Sequence, residues 1–163
     1  MMPSTGNPQR VRVADARDED ALLDLCRSLH RENGLFPLCE AKVAAILRIA
    51  LEGPLPERRG LIGVIGPRNG IEGAIYLEVG SNWYSDKLYL AELFNYVLPQ
   101  HRNSSNSVDL IAFAKHMSDT FQVALLIGVL SNIRTEAKIR LYRKQLGEPA
   151  GAFFVHNGGA GVH

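Results

Sequence analysis

Cysteine is nearly missing: Cys26 and Cys39 are the two in a chain of 163 residues. Two thiols cannot build a disulfide framework, and their spacing matches no zinc motif. Cys26 falls in an apolar helical pattern, where a buried thiol is the default. The five histidines, His30, His101, His116, His156 and His163, are scattered with no two at metal-ligand spacing, so no metal is implied. An excess of one charge is lacking too. With 18 basic and 17 acidic side chains the formal net charge is +1, too little to draw the molecule to nucleic acid or an anionic membrane. The small basic clusters at Arg58-Arg59 and 140–144 fit a solvated helix face as well as a binding patch. The longest apolar run, 123–130, is far short of the ~20 residues that span a bilayer. Residues 1–10 are polar, with no apolar core of a secretory signal. The expectation is a soluble cytoplasmic protein. Apolar residues at 46% and charged residues at 21% are ordinary globular composition, and the length suits one domain with its own core.

Periodicity then orders the chain. A short strand at 11–14 leads into a helix from about Glu19 to Arg31, with Leu22, Leu25, Cys26 and Leu29 on one face and Asn33-Gly34 as its stop. A second helix runs from about Glu40 to Glu52, ended by Gly53-Pro54. Strands at 61–65, 71–79 and 88–98 follow, the first two joined across Asn69-Gly70, and read as an antiparallel meander. Next come a helix from about Val108 to Phe121, a nearly continuous apolar strand at 123–130, a helix from a Ser131-Asn132 cap to Leu146, and a last strand at 151–156. The strand–helix–strand section 88–130 is a crossover that sets its two strands parallel. No linker or repeat divides the chain, so 11–157 is expected to be a single domain with flexible termini at 1–10 and 158–163.

Such a crossover has one recurrent ligand site, the N-terminus of its helix, where free N–H groups and the helix dipole attract anions. That place is Arg102, Asn103, Ser104, Ser105, Asn106, Ser107 and Val108. Small polar residues let several amides converge on one anion, a pyrophosphate being the natural guest, and Arg102 adds charge. A solvated loop with a Ser or Asn cap satisfies the same pattern.

Pro99-x-x-Arg102-x-x-Ser105-x-Ser107, after an apolar strand, resembles the acetyl-CoA signature of the GNAT N-acetyltransferases, Arg/Gln-x-x-Gly-x-Gly/Ala. Ser131-Asn132, Ala137, Leu141-Tyr142 and Leu146-Gly147 resemble the family's Asn…Ala…Leu-Tyr…Gly helix, and Arg12-Val13-Ala14…Asp18 its opening. The likeness runs in order over about 11–157. Two departures stand: both usual glycines of the phosphate loop are Ser105 and Ser107, without glycine's freedom at positive φ, and one extra residue separates Tyr142 from Gly147.

The resemblance implies an α/β (α+β) fold. Its mixed, mostly antiparallel twisted sheet has helices on both faces and a parallel strand pair splayed around acetyl-CoA. It implies transfer of the acetyl group of acetyl-CoA to a primary amine by direct attack in a ternary complex. A non-catalytic acyl-CoA-binding or sensing domain on the same fold is the alternative. Backbone groups of Tyr96, Val97 and Leu98 would pair with the pantetheine arm, amides from Asn103 to Val108 would hold the pyrophosphate, and Asn132 would meet the arm. Tyr142 would protonate the departing thiolate, since a phenol with pKa about 10 is neutral. Glu92, in the apolar strand before the loop, would take the amine's proton, although an outward-facing glutamate on a half-exposed strand fits equally. The acceptor is a small-molecule or peptide amine, with no nucleic acid or membrane partner, and a homodimer follows by analogy. The loops 35–39 and 81–86, with Trp83 and Tyr84, are candidates to overhang the acceptor.

Overall fold

The computed structural model describes residues 5–131, 133–156 and 158. The elements are β1 (Arg12–Val13), α1 (Glu19–Asn33), α2 (Glu40–Leu51), β2 (Gly60–Ile65), β3 (Gly73–Ser81), β4 (Leu88–Val97), α3 (Asn106–Phe121), β5 (Ala124–Leu126) and α4 (Thr135–Leu146). One sheet carries the strands in the order β1-β2-β3-β4-β5, antiparallel throughout except for the parallel pair β4 and β5. This is the mixed α/β architecture that the sequence implied.

Helices cover both faces. Leu22, Leu25, Leu47 and Ala50 from α1 and α2 pack on Ile62, Val64, Ala74 and Tyr76 of one face. Leu110, Phe113 and Ala114 from α3 pack on Ile65, Ile75, Leu77 and Leu90 of the other. Because both sides are covered, β2 is buried along its whole length, which is why its sequence reads as an unbroken apolar run. Gly63 sits where Phe113 crosses the strand; a Cβ there would lie 2.5 Å from the ring. The entry to α1 is fixed by ion pairing: Asp18 is fully buried and receives both guanidinium nitrogens of Arg12 at 2.8 Å.

Four expectations need correcting. Pro8–Arg10, assigned to a flexible terminus, form a turn capped by Asn7 and strapped to α3. The Asn7 N–H donates to Asp109 Oδ1 at 2.7 Å, Arg10 pairs with Asp109, and a Cβ on Gly6 would come within 2.3 Å of the Val108 carbonyl oxygen. The expected strand 123–130 pairs with β4 over Ala124–Leu126 alone. The cause lies in β4. Leu77 pairs with Glu92 and Tyr76 with Phe94, so Leu93 is an extra residue in a β-bulge, and a bulged strand bends and twists away from its neighbour. Helix α4 begins at Thr135, after Arg134 at φ 60°, rather than at a Ser131-Asn132 cap. The Thr135 hydroxyl bonds back to the Ser131 carbonyl at 3.0 Å, and Asn132 lies outside the described residues. Finally, 151–156 form no strand; Phe153 and Phe154 are 87% and 94% exposed. Adjacent apolar side chains would point to opposite faces of a strand, and both of these stay largely exposed instead.

Candidate active site

Past Ala91, β4 and β5 part, and the gap between them is the candidate site. Glu92 stands at the fork, one residue before the bulge. Its carboxylate accepts the Gly128 N–H at 3.3 Å. Burial pushes its pKa up to about 7, against the opposing pull of that N–H and of Lys138. A carboxyl group so tuned can accept a proton near neutrality. Tyr142 reaches the gap from α4, its hydroxyl oxygen accepting from Asn95 Nδ2 at 3.2 Å. Burial raises its pKa, the Glu92 charge raises it further, and the Asn95 bond only partly offsets this. Its phenol therefore stays protonated and able to donate.

Two cavities flank these groups. The first, about 140 Å³, is lined by Tyr96, Val97, Arg102, Ser107 and Tyr142 among others. The second, about 310 Å³, is lined by Glu92, Leu93, Gly128, Leu130 and Phe153 among others. Asn95, Lys138 and Tyr142 line both, so these three mark the place where the two cavities meet.

The loop before α3 leaves most of its amides open. Among the described residues, the amides of Asn103, Ser104, Ser105, Ser107 and Val108 have no acceptor within the protein, while that of Asn106 bonds the Ser104 hydroxyl at 3.2 Å. Side chains hold the loop from behind: the Ser105 hydroxyl donates to Asp109 at 2.7 Å, and Asn106 Nδ2 to Glu72 at 2.8 Å. Other predicted groups are already engaged. Arg102 pairs with Glu32 at 2.6 Å, donates to the Val97 carbonyl at 3.1 Å and lies over the Tyr96 ring. The Tyr96 hydroxyl donates to Glu32 at 2.9 Å, and the Leu98 N–H to the Glu72 carbonyl at 2.9 Å. Trp83 and Tyr84 stack edge-on at 5.3 Å, and neither lines either of these two cavities.

Glu32, Asn33, Asn95 and Lys138 were not anticipated. Burial opposes ionisation of Glu32, yet hydrogen bonds from Arg102 and Tyr96 outweigh it and hold its pKa below the usual carboxylate value. Lys138 had a legible signal, since it lies one helical turn before Tyr142 and shares its face. Glu32 and Asn33 had none, because they reach the site from the far end of α1. Among the described residues no group of His, Cys, Asp and Glu could hold a metal, and no helix is long and apolar enough to cross a membrane.

No protein-family model and no curated protein matches the sequence. Solved structures do match over nearly the whole chain. An integron cassette protein from the mobile metagenome of Cole Harbour Salt Marsh superposes with TM-score 0.72 at 20% identity, covering 93% of this chain and 91% of that one. A ribosomal-protein-alanine N-acetyltransferase from Brucella melitensis biovar Abortus gives 0.66 at 13% identity, covering 90% and 97%. A GNAT family acetyltransferase from Staphylococcus aureus gives 0.61 at 16% identity, covering 90% and 96%. The splayed parallel pair, the amide-rich loop before α3 and these superpositions agree on one architecture: this chain has the GNAT acetyltransferase fold.

Proposed function

We propose that the protein is an acetyl-CoA-dependent N-acetyltransferase acting on a primary amine. The observation that carries the reading is the fork between β4 and β5, where a carboxyl group with pKa about 7 and a protonated phenol line one continuous gap. The free amides of Asn103, Ser104, Ser105, Ser107 and Val108 fit the pyrophosphate of acetyl-CoA, since they lie at and just before the first turn of a helix whose Ser107 lines the smaller cavity. The thioester then lies where the cavities meet.

Each residue has a definite task. Glu92 removes a proton from the acceptor ammonium, whose ordinary pKa is about 10. The freed nitrogen forms its bond to the thioester carbonyl carbon, and a β4 amide near Val97 donates to the oxygen that becomes negative. As the C–S bond breaks, the sulfur takes the Tyr142 proton, leaving an amide and free CoA. The acylated nitrogen gives up its remaining extra proton, which restores the Tyr142 phenol through solvent, and Glu92 releases its own proton to solvent. The exposed Phe153 and Phe154 and the open edge of β5 support a homodimer, which sedimentation equilibrium tests; a monomer at ~100 µM would count against it. For the enzymatic reading, calorimetric titration with acetyl-CoA and thiol release across an amine panel are decisive. Saturable binding with amine-dependent CoA release supports it. No binding at millimolar acetyl-CoA overturns it.

A further inference from the structure

The larger cavity pairs charges of opposite sign with an apolar wall. Glu92 and Lys138 both line it, together with Leu29, Leu93, Phe94 and Leu130. Lys138 is half-buried, and among the described residues no carboxylate comes within ion-pair distance of it. Burial lowers its pKa, and the charges of Glu32 and Glu92 only partly restore it. A desolvated cation without a close counter-ion is costly unless a ligand supplies one. The third polar feature is Asn33, which also lines the cavity. It is 9% exposed, and its side-chain oxygen has no hydrogen-bond partner. A buried amide left unmatched in an otherwise satisfied structure marks a place where a ligand completes the bonding. At about 310 Å³ the cavity lies at the small end of the ~300–1,000 Å³ range of ligand pockets, which suits one compact molecule rather than a sugar chain.

We infer that the acceptor is a free α-amino acid with an apolar side chain. Its ammonium faces Glu92 and donates to the unmatched side-chain oxygen of Asn33, its carboxylate pairs with Lys138, and its side chain lies on the apolar wall. The inference rests on the acetyltransferase reading for the chemistry, though not for the binding. Every group in the cavity then has a partner. A simple alkylamine leaves Lys138 unmatched, and a peptide N-terminus puts a neutral amide where the carboxylate belongs.

The test uses three acceptors of nearly equal shape: L-leucine, L-leucinamide and 3-methylbutylamine. Acetylation by the wild-type protein is expected to favour L-leucine in kcat/KM by at least about tenfold over either analogue. In Lys138→Met that preference disappears, because the KM for L-leucine rises by about tenfold more than the KM for either analogue. If Lys138→Met slows all three acceptors equally, Lys138 serves the acetyl donor and the inference is overturned. It is overturned as well if the wild type prefers 3-methylbutylamine. Saturation-transfer NMR with L-leucine alone separates the two readings. Binding lost in Lys138→Met keeps the amino-acid site even if acetyl-CoA fails to bind. Absence of L-leucine binding alongside acetyl-CoA binding removes the site and leaves the enzyme.

Discussion

Burial of Glu92 acts on activity and on stability with opposite sign. Its folded pKa of about 7 lies above the ordinary 4.5, so between those values the folded state holds a proton that the unfolded state has released. Stability therefore falls as pH rises through that window, by about 3 kcal/mol at ~1.4 kcal/mol per unit. Glu92→Gln removes the dependence. The variant should match the parent near pH 4 and exceed it by about 1–3 kcal/mol at pH 8, read from urea midpoints, while acetyl transfer at pH 8 falls by about 10²-fold or more. A parent whose stability is flat between pH 4 and 8 would show that Glu92 is not desolvated. Tyr142→Phe should lower kcat by about 10²–10⁴-fold at a stability cost of about 1 kcal/mol, since Asn95 loses its acceptor. The wild-type kcat/KM should rise with a midpoint near pH 7, from Glu92. It should show no falling limb below pH ~10, because the phenol's pKa is raised. A falling limb between pH 8 and 9 would assign the acid to another group. These two residues were visible in the sequence by type and position, but the elements that bury them, distant in the chain, were not.

At the scale of the elements, the helices were legible from periodicity and the splayed strand pair from the family resemblance, but the place where the strands part was not. Leu22, Leu25 and Cys26 repeat at helical spacing, and Gly34 and Gly53-Pro54 mark the stops. The run 123–130 gave no sign that pairing ends at Leu126, because an apolar residue fits a paired strand and a cavity wall equally. The bulge at Leu93 carries no signal of its own; Leu is an ordinary strand residue. The strap at 5–10 was hidden for a different reason: a polar segment looks flexible until a buried partner, here Asp109 at 2% exposure, claims its N–H and guanidinium groups. Asp109 holds the strap and Ser105 at once, so it braces the amide loop from behind. Asp109→Ala should destabilise the protein by about 2–4 kcal/mol in urea unfolding, the cost of leaving those donors unmatched. It should also weaken acetyl-CoA binding several-fold under conditions where the variant remains folded. Unchanged affinity would mean that the loop keeps its shape without the brace.

Over the whole molecule, charge is nearly balanced at +1, so long-range attraction adds little to the binding of an anionic cosubstrate. Affinity has to come from the local arrangement of loop amides beside the smaller cavity. Serine at 105 and 107 meets this demand only if the turn avoids positive φ, and it does: the non-glycine residues at positive φ among those described are Gln122 and Arg134. The family's glycines are thus not needed for the loop's backbone path. Ligand binding to the folded state alone raises stability by about 2.7 kcal/mol at a hundred times the dissociation constant. For a chain of 163 residues that converts to a rise in Tm of about 5–10 °C. Inorganic pyrophosphate, touching the amides alone, should give a smaller rise that survives Tyr142→Phe and Lys138→Met. Because dipoles rather than net charge do the binding, the shift should weaken only modestly between ~50 and ~500 mM salt. A shift that vanishes at ~500 mM would reassign the anion to exposed basic side chains and take the pyrophosphate away from the loop.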